Sequence, residues 1–101
     1  MLDLATISCD VFMPHVGSAF KVGVGGPPIA TFTLTSAVDL PQWRRKSAPR
    51  SPFTLNLLGP PQPIVQQATY LFQHDVLGDM QLFVVPVGAD ANGVQYEIHF
   101  T

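Results

Sequence analysis

Between Ala68 and Phe100 the chain is built almost entirely from strand-forming residues, broken twice by short turn sequences, and this stretch limits the fold more than any other. It runs Ala-Thr-Tyr-Leu-Phe-Gln-His-Asp, Val-Leu-Gly-Asp, Met80–Gly88, Ala-Asp-Ala-Asn-Gly, then Val94–Phe100. Runs of β-branched and aromatic residues separated by such turns predict a three-stranded meander. A turn at Leu77-Gly78, with Gly78 supplying a positive φ, sets Phe72 opposite Phe83 and Tyr70 opposite Val85. Closing the second hairpin on Val87 and Val94 sets Val85 opposite Tyr96 and Phe83 opposite Ile98. This register gathers Tyr70, Phe72, Phe83, Val85, Val87, Val94, Tyr96 and Ile98 on one core face. Leu71, Met80, Leu82 and Val84 fall on the reverse, where a solvated antiparallel face is mostly polar. That strip is expected to lie under the amino-terminal helix or under another protein, including a second copy. Pro86 lacks an N–H and is expected at a bulge or where pairing ends.

The rest of the chain supplies three more strands and one helix. Ile7, Val11 and Phe12 have helical spacing over residues 1–18, Thr6 or Ser8 can cap, and Pro14 stops the helix. About three turns cannot stand alone, so its apolar side must dock on the sheet. Phe20, Val22 and Val24 alternate with Lys21 and Gly23 in strand one, and Gly25-Gly26-Pro27-Pro28 forms the turn. Strand two, Ile29–Leu40, has Ala30, Phe32, Leu34 and Val38 on one face and Thr31, Thr33 and Thr35 on the other. Strand three, Phe53–Leu58, turns Phe53, Leu55 and Leu57 inward, and Gly59–Pro63 is a stiff crossing segment. The expectation is one all-β domain over 1–101, a six-stranded antiparallel barrel or rolled sheet with a short amino-terminal helix.

Charge excludes some functions. Only 12% of the 101 residues are charged, which suits a surface spent against a partner. A net charge of −2 gives no support for nucleic-acid binding, and no apolar run is long enough to span a membrane. Cys9 is the only cysteine, so no internal disulfide and no cysteine-based metal site can form. The opening Met-Leu-Asp-Leu-Ala-Thr lacks the regions of a signal peptide, and a cytoplasmic location is the expectation, with export only inside a larger assembly.

Candidate chemistry is sparse. His15, His74 and His99 show no metal-ligand spacing and no evident convergence. Ser8, Ser18, Ser36, Ser47 and Ser51 lack the context of an activated nucleophile. Gly23-x-Gly25-Gly26 lacks the dinucleotide fingerprint, and Asp75, Asp79 and Asp90 read as turn residues. An enzyme or a cofactor site is not expected. The irregular loop 41–52 is the exception to this blandness, carrying Arg44, Arg45, Lys46 and Arg50, four of the five basic residues, beside the only tryptophan, Trp43. It is either a solvated connection with Trp43 folded over the core edge or a docking element, since Trp and Arg are enriched at interface hot spots.

The frame Leu-Asp-Leu-Ala-Thr, Phe12-x-Pro14-His15-Val16-Gly17-Ser18-x-Phe20, Pro52-Phe53, Leu77-Gly78, Leu82-Phe83-Val84-Val85-Pro86-Val87-Gly88-x-Asp90 and Gly93-x-x-Tyr96-Glu97 resembles a small bacterial family of stand-alone domains of unknown function. The resemblance covers nearly the whole chain and is weakest over 25–50. It implies a protein often encoded near phage-tail-collar-like proteins, hence an accessory or structural part of a tail-like appendage with a collar-like protein as partner. No catalytic residues come with it. Pro14, Gly17, Gly78, Pro86 and Gly88 shape backbone, which favours fold maintenance over chemistry. The leading expectation is a non-enzymatic protein-binding domain; the alternative is a small barrel holding an apolar molecule, against which the many inward aromatics argue.

Overall fold

The computed structural model describes residues 3–101; Met1 and Leu2, which open the stretch read for a leader, lie outside the described residues. Six strands follow the amino-terminal segment: β1 (Ala19–Gly23), β2 (Ala30–Asp39), β3 (Phe53–Gly59), β4 (Ala68–His74), β5 (Gly78–Asp90) and β6 (Gly93–Phe100). They close into a barrel in the order β1-β2-β3-β6-β5-β4, every neighbouring pair antiparallel. The closing seam is short, pairing Lys21 with Gln73, Val22 with Phe72 and Gly23 with Leu71. Closure satisfies the ladder that an open sheet would leave exposed at its edges.

Strict alternation drives the core. Phe53, Leu55 and Leu57 point inward along β3, as their period of two predicts, and Val94, Tyr96 and Ile98 do so along β6. The Phe32 and Tyr96 rings stack at 4.2 Å. They lie on bare backbone at Gly59, where an added Cβ would come within 2.7 Å of the Phe32 ring and 2.8 Å of the Tyr96 ring. The crossing segment after Gly59 closes that end of the barrel: buried Val65 donates its N–H to the Tyr96 hydroxyl at 2.8 Å.

The first hairpin of the meander departs from the expected register. His74 pairs with Gly78, Phe72 with Met80 and Tyr70 with Leu82, so Asp75, Val76 and Leu77 form the loop. Gly78, at φ +82, takes the left-handed position that ends such a three-residue connection. The partner of Phe72 moves from Phe83 to Met80, an odd shift, which exchanges the two faces of β5. Met80, Leu82 and Val84 are therefore inside the barrel, at 4%, 4% and 0% exposure, while Phe83 is 50% exposed. The second hairpin also moves, with Pro86 opposite Tyr96 and a register shift between Pro86 and Gly88, the bulge that a proline without an N–H requires. A second bulge, between Leu34 and Ser36, turns Ala37 inward and leaves Val38, expected in the core, on the surface.

The helix is shorter than its spacing implied. Helix α1 (Cys9–Phe12) has four residues and passes into a 3₁₀ turn, Met13–His15. Pro14 has no N–H to continue the ladder, and Ser8 occupies the N-cap position without a capping bond from its side chain. The segment is held by burial of Ile7, Cys9 and Phe12. The Phe12 ring lies 5.8 Å from Phe53 and 5.7 Å from Phe100. It closes one end of the barrel and does not cover a strip on the meander.

The register makes opposite demands on adjacent residues of β5. Leu82→Asp should cost several kcal/mol, the usual penalty for an unpaired buried charge, and Phe83→Asp should stay within about 0.5 kcal/mol of wild type. Urea unfolding of both variants checks this; equal costs, or the reverse order, would contradict the pairing.

Candidate functional site

The pairing of Asp39 with Phe53 and of Phe53 with Phe100 brings loop 41–52 to the same end of the barrel as Phe12. Pro41–Trp43 forms a 3₁₀ turn, with the Trp43 N–H donated to the Leu40 carbonyl at 3.0 Å. This turn lifts the indole away from the core, and Trp43 is 70% exposed rather than folded over the barrel edge. Arg44 curls back to the Ala48 carbonyl at 3.0 Å. Arg50 belongs to the fold: it donates to the carbonyls of Thr101 at 2.7 Å and Leu4 at 3.2 Å, and its guanidinium lies over the Phe53 and Phe100 rings. Arg45 and Lys46 make no side-chain hydrogen bond or ion pair among the described residues. Trp43, Arg45, Ala48, Pro49, Pro52 and Thr101 border an open groove of about 500 Å³.

The expected strip on the meander does not exist as a surface. Of Leu71, Met80, Leu82 and Val84 only Leu71 reaches the outside, half-buried opposite Gly23 and Gln81. Its place on the exterior of β5 is taken by Phe83, Val85 and Val87.

Two histidines that the sequence left apart are brought together by barrel closure. The rings of His15 and His74 meet edge to face at 4.8 Å. His74 is 8% exposed and lies 4.6 Å from the Phe20 ring. Its Nδ1 accepts the N–H groups of Val76 at 3.0 Å and Leu77 at 3.1 Å, which requires that nitrogen to be unprotonated. The proton of the neutral ring is then on Nε2, which donates to Ser18 Oγ at 2.8 Å, while the Ser18 hydroxyl donates to the His15 carbonyl. A serine nucleophile needs the imidazole to accept its proton, and here the imidazole donates. The pair is a structural tie, and burial, followed by the neighbouring His15, pushes the His74 pKa down against the opposing pull of Asp75.

His99 sits on the outer face between Thr54 Oγ1 at 3.0 Å and Glu97 Oε1 at 2.9 Å. That row has the connectivity of a proton relay, but His99 is 54% exposed and the neighbouring groove, about 400 Å³ beside Asn56, Gln95 and Glu97, stops short of Thr54 and His99. Nothing there encloses a substrate, and the row is a cross-strand polar ladder. Among the described residues no group of three or more His, Cys, Asp or Glu is placed to hold a metal ion. Among the described residues no helix is long and apolar enough to cross a membrane.

Cys9 is 3% exposed, and its thiol pKa is raised by burial and then by Asp39 and Asp10. A buried, protonated thiol is a poor nucleophile. A disulfide reagent should therefore label Cys9 only after denaturation, and Cys9→Ala should cost about 1 kcal/mol with solution mass unchanged. Rapid labelling of the native protein would contradict this.

No curated protein and no solved structure matches the chain. A family model described as Domain of unknown function (DUF6916) matches residues 7–100, a span that takes in α1 and all six strands. The chain belongs to this family of domains of unknown function.

Proposed function

We propose that this barrel is a non-enzymatic binding domain that docks a protein partner through loop 41–52, the partner presenting carboxylates there. The observation that carries the reading is the exposed Trp43 indole beside Arg45 and Lys46, two cations with no partner among the described residues. An indole gives contact area at low entropic cost, and exposed guanidinium and ammonium groups select an acidic surface. The packed aromatic interior speaks against an apolar ligand along the barrel axis, since Phe32, Phe72, Phe20 and Tyr96 already fill it.

The resemblance to proteins encoded near phage-tail-collar-like proteins supplies a setting, a component or assembly helper of a tail-like appendage with a collar-like protein as partner. A lone buried thiol suits a reducing compartment, and we place the protein in the cytoplasm or, as part of such an assembly, outside it.

The test is a variant carrying Trp43→Ala, Arg45→Ala and Lys46→Ala, which spares Arg44 and Arg50. A partner captured by the wild-type domain and then purified should bind the variant more than about tenfold more weakly. Added salt should narrow the difference, and the Tm should move by no more than about 3 °C. Equal affinity at low salt would make loop 41–52 a solvated connection.

A further inference from the structure

The His15–Ser18–His74 cluster lies at the same end of the barrel as loop 41–52, shares no residue with it, and has a use of its own. Segment 15–18 is fixed to the barrel by few bonds: Gly17 N–H to the Leu34 carbonyl, Leu34 N–H to the Ser18 carbonyl, and His74 Nε2–H to the Ser18 hydroxyl oxygen. Loop 75–77 has its inward amides, those of Val76 and Leu77, on one acceptor, His74 Nδ1. One imidazole therefore holds both: the loop only while Nδ1 is unprotonated, the connector through Nε2–H, a donor in the neutral and the charged ring alike.

We propose that His74 is an acid-operated latch: taking a proton on Nδ1 releases loop 75–77 from its closed form, while the Nε2–H bond to Ser18 and the backbone bonds to Leu34 keep the 15–18 connector in place. The protonated nitrogen is a donor facing two donors, so both amide bonds are lost in one step. Of the elements packed on the ring, the amino-terminal segment contributes His15, whose charge opposes a second one nearby, and the loop contributes Asp75, which favours it. β1 contributes Phe20, which carries no charge.

Burial holds His74 neutral below the usual imidazole value of 6.5. The closed form is thus fully favoured above that pH. It is lost as pH falls through the lowered value, because the open form takes up a proton that the closed form refuses.

Hydrogen exchange followed by NMR reads this directly, with amides of Leu57 and Ile98 as core references. Protection of the Val76 and Leu77 amides should fall by up to about tenfold per pH unit below 6.5, one proton being bound per opening. The core amides should keep theirs. His74→Asn places an acceptor oxygen where Nδ1 stood without a titrating group, and should make that protection independent of pH. Ser18→Ala should loosen the connector yet keep the pH dependence of the loop. Pooled protection that holds at acid pH while the His74 ring titrates, or a pH dependence that persists in His74→Asn, would overturn the latch. Should His74→Asn fail to fold, the wild-type exchange profile against the His74 titration decides alone.

Discussion

The neutral imidazole of His74 is the contact that fixes the first hairpin of the meander. By accepting two loop amides it makes the first meander hairpin a three-residue connection, and that connection sets which face of β5 is inside. From this follow the burial of Met80, Leu82 and Val84 beside Phe72 and the outward position of Phe83. The same ring, through Ser18, ties the amino-terminal segment to the barrel. A residue with the composition of a catalytic base is thus used for its two opposite hydrogen-bonding ends, one accepting and one donating.

The two ends of the barrel are closed by different chemistry. At one, Phe12 fills the opening against Phe53 and Phe100, and Arg50 lies over those rings while donating to carbonyls of the chain on either side. Its fork of donors suits this clamp better than an ammonium would. At the other, Val65 and the Tyr96 hydroxyl join the crossing segment to the core. At the Phe12 end, loop 41–52 sets an exposed indole beside two cations that have no partner among the described residues.

Much of this was legible wherever alternation was clean. β3 and β6 alternate large apolar residues with polar or smaller ones, and their inward faces were read correctly. The bulge at Pro86 followed from a missing N–H. β5 was misread because Leu82-Phe83-Val84-Val85 is apolar on both parities, so burial does not choose a face and the turn has to. That turn depends on a side chain acting as backbone acceptor, which periodicity does not show. Val38 lost its core place to a bulge among Thr35, Ser36 and Ala37, residues too small and mixed in character to mark a register. The His15–His74 contact joins residues far apart in the chain and exists only because β1 closes on β4.

The central claim, that His74 is neutral and accepts at Nδ1, is most directly tested by long-range ¹H–¹⁵N correlation of the histidine rings above pH 7. The account predicts an unprotonated Nδ1 and a protonated Nε2 for His74. A proton on Nδ1 at that pH, in either the neutral or the charged ring, would contradict it, because the amides of Val76 and Leu77 would then have no acceptor.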